Sequence, residues 1–162
     1  MYKHILYPTD GSAGSEAAIA HVREIAEAFD ATVHVLHVVD TRQFTLGMSG
    51  NYISGPKGYS SDRPSEEERK RELEERATPF VEELAADFEG IETVAAVRGG
   101  NPHEAILEYI DENDIDLVVM GTEGRTGVKR YLLGSVSEKV VRLADPPVVT
   151  VRADADAEAA DE

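Results

Sequence analysis

Up to Val151, short runs of β-branched and aliphatic residues alternate with longer stretches whose apolar positions recur every three or four residues. His4-Ile5-Leu6-Tyr7 reads as a first strand that stops at Pro8-Thr9-Asp10-Gly11-Ser12. A helix then carries Ile19, Val22, Ile25, Ala26 and Phe29 on one face. Further strands are expected at Thr32 to Val39, Thr93 to Val97, Leu117 to Met120 and Val148 to Val151. Further helices are expected over Ser65 to Phe88, Pro102 to Asn113 and Ser135 to Leu143. The helix at Pro102 has a legible start: Asn101 is placed to cap it, Pro102 suits the first turn, and Glu104 completes a capping-box-like arrangement.

Strands that alternate with helices predict a parallel sheet covered on both faces, because parallel crossovers need a helix to span them. The expected fold class is therefore α/β, three layers with a five-stranded parallel sheet. At 162 residues and 41% hydrophobic, the chain has material for one core, assigned to a single domain over residues 1–152. Two regions fall outside the alternation. Thr41 to Pro64 carries Gly47, Gly50, Gly55 and Gly58 without periodicity and is expected to be a flexible insertion loop, either a mobile flap or disordered. ADADAEAADE, from Ala153 to Glu162, has no large apolar residue and reads as an acidic, disordered tail.

Composition removes several classes of function. No window approaches the roughly 18 apolar residues of a membrane-spanning helix, and MYKHILYPTDG lacks the pattern of a signal peptide, so a cytoplasmic protein is expected. Without cysteine there is no disulfide framework, thiolate metal site or cysteine nucleophile. A net charge of -16 argues against nucleic acid as a partner, since phosphate neutralisation needs clustered cations. Acidic proteins of salt-loving organisms have this balance, with lysine scarce: only Lys3, Lys57, Lys70, Lys129 and Lys139 occur. A halophilic source follows as an expectation.

In an open parallel sheet, ligands bind beyond the carboxyl ends of the strands, where adjacent strands send their chains to opposite faces. The sequence marks two such ends, Pro8-Thr9-Asp10 and Gly121, which are neighbours if the strand order is 3-2-1-4-5. After the fourth strand comes GTEGRTGVKRYLLGS, Gly121 to Ser135. Gly121, Gly124 and Gly134 allow backbone amides to approach an anion closely. Ser135 opens the last helix, so its hydroxyl and the amides of Ser135 and Val136 stand at a helix N-terminus that favours negative charge. Arg125, Lys129 and Arg130 add cations in the same segment. Phosphate is the expected guest. The segment is neither a P-loop, lacking GxxxxGK followed by Ser or Thr, nor a GxGxxG loop.

These residues resemble the universal stress protein family, whose ATP-binding members carry Gly, two residues, Gly, nine residues and Gly-Ser or Gly-Thr. Gly121-x2-Gly124-x9-Gly134-Ser135 meets that pattern, and ILYPTDGS, VLHVVD and PPVVTV are similar to the family's strand ends. The resemblance covers roughly residues 1 to 152. It implies an adenine nucleotide alpha hydrolase-like, Rossmann-like sheet of order 3-2-1-4-5. It implies further that Pro8, Thr9 and Asp10 line the adenine and ribose side, that Val38 meets adenine through its backbone, and that Gly99, in the Arg98-Gly99-Gly100 turn, borders the ribose. Gly121 and Gly124 would contact ribose and phosphates, with Arg125 nearby. Gly134, Ser135 and Val136 would hold the phosphates of ATP, or of ADP or AMP, bridged by Mg2+ or Mn2+. It also implies a homodimer joined through the Val148 to Val151 strand, a β-branched sheet edge of the kind that finds a partner.

Plainer readings stand beside these. Asp10 is also placed to cap the following turn or helix, and the glycines to serve as turn and helix-boundary residues. His34 and His37 are read as sharing one face of a strand, where packing is favoured over a metal; His4, His21 and His103 offer no cluster. SEEERKRELEER reads as a solvated helix face. No Ser, His, Asp constellation can be assembled from spacing, and phosphoryl transfer needs a positioned acceptor and base, so no catalytic residue is assigned and binding is favoured over turnover. A slow ATPase or nucleotidyl-transfer enzyme and a dimeric interaction module without nucleotide remain as alternatives.

Overall fold

The computed structural model describes residues 1–41, 65–122 and 134–152. The candidate site residues Gly124 and Arg125, with Lys129 and Arg130, the 42–64 part of the expected insertion and the 153–162 tail lie outside these described residues.

Five parallel strands form one sheet: β1 (His4–Pro8), β2 (Thr32–Asp40), β3 (Thr93–Gly100), β4 (Leu117–Gly121) and β5 (Val148–Val151), in the order β3-β2-β1-β4-β5. This is the expected sheet. Strand β1 is central, pairing with β2 from His4↔Thr32 to Pro8↔Leu36 and with β4 at Ile5↔Leu117. Its alternate side chains enter two different cores, which is why it reads as a continuous apolar run rather than an alternating one. Ile5 and Tyr7 point to one face, with Val33, Val35, Val22, Val81 and Phe88. Leu6 points to the other, with Leu36, Ile106, Tyr109, Val118 and Val140.

The helices that supply these layers are α1 (Ala13–Glu16), α2 (Ile19–Phe29), α3 (Glu66–Ala86), α4 (Pro102–Glu112) and α5 (Ser135–Leu143). Helices α2 and α3 cover the first face; α4 and α5 cover the second. The stretch after Ser12 divides into α1 and α2 for a tertiary reason. The Tyr7 hydroxyl donates to the Ser15 carbonyl at 2.7 Å, and the Ala18 amide reaches the same carbonyl at 3.2 Å in a tight i to i+3 turn.

Three local expectations change. The N-cap residue Asn101 makes no side-chain cap bond, and its Oδ1 is buried without a hydrogen-bond partner. The complete capping box belongs to α3 instead, where Ser65 Oγ accepts from the Glu68 amide at 3.1 Å and Glu68 Oε2 accepts from the Ser65 amide at 3.2 Å. Finally, Arg98-Gly99-Gly100 is not a turn. It continues β3, because β2 runs on to Asp40 and pairs with it through Val38↔Arg98, Val39↔Gly99 and Asp40↔Gly100.

Candidate functional site

At the carboxyl end of the sheet, β1 passes its chain to α1 and α2 on one face, while β4 passes its chain to α5 on the other. The two strands are neighbours, so their ends form the switch point at which open α/β sheets commonly bind ligands.

The first wall is the turn after β1. Thr9 is buried; its amide donates to the Leu36 carbonyl at 2.8 Å. Its hydroxyl lies 3.0 Å from Ser15 Oγ and accepts from the Gly11 amide at 3.2 Å. Asp10, half-buried, uses Oδ1 to accept from the Ser12 amide at 2.9 Å, which is the capping role set out above as the plainer reading. Gly11 adopts φ 78, in the left-handed region where a side chain is strained. Burial pushes the Tyr7 phenol up, against the smaller opposing effects of hydrogen bonding to Thr9 and Ser15, so it remains a neutral donor to the turn.

The second wall is the end of β4. A Cβ on Gly121 would fall on the carbonyl of Gly14, 2.5 Å from its carbon, so the strand end and the start of α1 meet backbone to backbone. The Gly121 carbonyl accepts from the Ser137 hydroxyl at 2.9 Å, and the Thr122 carbonyl accepts from the Gly134 amide at 2.7 Å. These two bonds seat the first turn of α5 on the end of β4. Ser137 faces inward, Ser135 is exposed, and Val136 packs on the second core. Gly134 is the N-cap and offers no side chain to the helix start, which leaves first-turn amides free of a side-chain cap.

Pro8, Thr9, Asp10, Gly121, Gly134, Ser135 and Val136 therefore gather at one end of the β1/β4 boundary. Val38 lies on the adjacent strand, two positions beyond the Pro8↔Leu36 pair and on the second face. Gly99 lies one strand further out, under α3. Its amide donates to Glu74 Oε1 at 2.9 Å, and a Cβ there would meet Lys70 Cγ at 2.7 Å. The sequence pattern did not single out Tyr7, Ser15, Thr122 or Ser137, whose hydroxyls and carbonyls shape both walls.

The histidines are placed differently from expectation. A three-residue step along a strand changes face, so His34 and His37 lie on opposite sides of the sheet. His34 meets Tyr109 of α4, its Nδ1 2.8 Å from the hydroxyl; His37 stacks edge-on with Phe80 of α3. His4, in turn, is not isolated: its Nδ1 lies 3.2 Å from His34 Nε2. Among the described residues there is no group of three or more His, Cys, Asp or Glu able to hold a metal ion.

Such an arrangement defines a doubly wound α/β protein whose sheet reverses between β1 and β4. The profile of the universal stress protein family matches residues 1–152, and the chain belongs to that family. It is 34% identical over 155 residues to "Universal stress protein MJ0577" of Methanocaldococcus jannaschii, covering 94% of this chain and 96% of that one. A solved structure of MJ0577 superposes with a TM-score of 0.70 at 32% identity, over 94% of this chain and 96% of the other. The same fold occurs in a universal stress protein in complex with cAMP, with a TM-score of 0.57 and 24% identity over 94% and 98% of the two chains. It occurs again in an Arabidopsis thaliana family protein with AMP bound, with a TM-score of 0.59 and 20% identity over 96% and 94%. No helix among the described residues is long and apolar enough to cross a membrane.

Proposed function

We propose that this chain binds ATP, or the related ADP or AMP, between the ends of β1 and β4 and acts as a cytoplasmic regulatory protein rather than as an enzyme. The observation that carries the reading is the seating of α5. The Gly134 amide and the Ser137 hydroxyl tie the helix start to Thr122 and to Gly121, the last residue of β4, so the Ser135 and Val136 amides begin beside the end of that strand. A phosphate group there would meet uncapped amides and a helix N-terminus. The turn at Pro8-Thr9-Asp10 and the backbone of Val38 would take the sugar and base. Adenine nucleotides bound to other proteins of this fold support the choice of base.

A divalent ion such as Mg2+ or Mn2+ fits only as a companion of the phosphates. With no protein cluster of three ligating residues among those described, and one Asp10 oxygen already engaged by Ser12, the ion's shell would come mainly from phosphate oxygens and water. Titration calorimetry with ATP and Mg2+ or Mn2+ tests the reading. Saturable heat is expected; neither heat nor a thermal shift at millimolar nucleotide would end it.

The same proposal extends to a homodimer through β5. That strand is a sheet edge bonded on one side to β4, and α5 beside it exposes Val141 and Leu143. Light scattering after size exclusion is expected to give twice the monomer mass. We further propose that the acidic surface suits a high-salt medium.

A further inference from the structure

We propose that His37 is a positioning residue for the nucleotide crevice: with Phe80 it clamps the Thr9–Gly11 turn and thereby aims the Asp10 amide at the ligand. The proposal rests on the nucleotide reading above.

The β1/β2 ladder ends at Pro8↔Leu36, and one further backbone bond runs from the Thr9 amide to Leu36. Beyond that point the Thr9 carbonyl is held by a side chain: His37 Nδ1 lies 2.8 Å from it. A carbonyl oxygen only accepts, so Nδ1 carries the hydrogen and donates. The Thr9 carbonyl and the Asp10 amide belong to one planar trans peptide, and their directions are opposed. His37 stands on the α3 face of the sheet, as its contact with Phe80 fixes. Pulling the carbonyl toward that face turns the Asp10 N–H away from β2 and α3, toward β4 and the side on which α5 begins.

Phe80 completes the clamp. Its ring meets His37 edge-on, with centroids 5.6 Å apart at 79°. Its Cζ lies 3.2 Å from where a Gly11 Cβ would stand, so the same ring backs both the histidine and the left-handed residue that follows Asp10. Neither residue touches the crevice from the α5 side; both act through the turn.

The test uses the full chain and Mg-ATP calorimetry on wild type, His37→Leu, His37→Asn, Asp10→Ala and the His37→Leu/Asp10→Ala double variant. His37→Leu is expected to weaken binding by roughly tenfold, the scale of one lost hydrogen bond. His37→Asn, whose amide nitrogen can stand near the place of Nδ1, is expected to recover most of it. Adding His37→Leu to Asp10→Ala is expected to cost less than the two separate losses combined, because both act through one turn. An Asn variant no better than Leu, or independent losses that simply add, overturns the clamp. The exchange rates of the Gly11 and Ser12 amides in the nucleotide-free protein test it separately. They should rise in His37→Leu and return in His37→Asn; unchanged rates overturn the clamp even if ATP binds. Should wild type bind no nucleotide, the ligand reading falls alone and the exchange result still decides the clamp. If His37→Leu does not fold, Phe80→Leu, at a partly exposed position, is expected to raise the same two rates.

Discussion

Gly121 sits where two backbones touch, and the space it leaves has a measurable value. Any side chain there meets the Gly14 carbonyl, a group fixed in the chain rather than a flexible side-chain end. Gly121→Ala is therefore expected to destabilise the fold by roughly 1–3 kcal/mol, the range for inserting a methyl into a filled site. Urea unfolding should show a lower midpoint at unchanged slope. His34 makes a second prediction. It is buried between Tyr109 and His4, with Arg98 lying over the Tyr109 ring. Burial, reinforced by the neighbouring His4, lowers its pKa from 6.5. As pH falls below that value the unfolded chain takes up a proton that the folded chain resists, so folded stability declines. The His34 contribution is complete above 6.5 and is lost on acidification. Other groups titrate in the same direction, so the informative quantity is a difference. Between about pH 7.5 and about pH 5 the melting temperature of His34→Gln is expected to fall less than that of wild type.

At the scale of elements, helix starts show what a sequence pattern conveys and what it withholds. Asn101-Pro102 has the right residue types, yet Asn101 turns its oxygen into a buried place without a partner. Ser65, preceding a run of charge that reads simply as solvated surface, makes both bonds of a capping box. Ser65→Ala is expected to cost about 1 kcal/mol, and Asn101→Ala about 0.5 kcal/mol or less because no cap bond is lost. Equal costs in urea titrations would contradict the assignment. The same division runs through the rest of the fold. Strand order and layering were legible, because β1 has to be apolar on both sides to sit mid-sheet and the helical stripes alternate with strands. The positions of the candidate residues at the β1 and β4 ends were legible too, since a Gly-Ser at a helix start and a Pro-Thr-Asp after a strand are local patterns. The length of β3, set by its partner β2, was not. Nor was the break between α1 and α2, made by a Tyr7 hydroxyl from another element, or the engagement of Gly99 by Glu74. The β3 length and the Gly99 contact depend on residues distant in the chain, whereas Tyr7 and Ser15 are eight positions apart but lie in different elements, so no periodicity within either one reveals their bond.

Over the whole molecule, negative charge prevails. The chain carries 32 acidic and 16 basic residues, so half of the acidic charge has no cation to offset it. The exposed ion pairs Arg76–Glu72 at 3.0 Å and Arg142–Glu138 at 3.5 Å are i,i+4 contacts on helix surfaces, of a kind that contributes little. Helix α3 illustrates the imbalance: Glu66, Glu67 and Glu68 occupy its first turn, where the helix dipole favours them, but no basic residue occupies its last turn. Folding compresses this excess of like charge, and the repulsion lowers stability until salt screens it. Raising KCl from about 0.1 M to about 1 M shortens the screening length from about 10 Å to about 3 Å, below the usual spacing of surface charges. The thermal midpoint followed by circular dichroism is therefore expected to rise with KCl. Salt also strengthens apolar burial in some cases, so sucrose at matched osmolality serves as the control. A rise specific to KCl assigns the effect to charge, whereas equal midpoints in dilute buffer and molar KCl would remove the case for a surface adapted to salt.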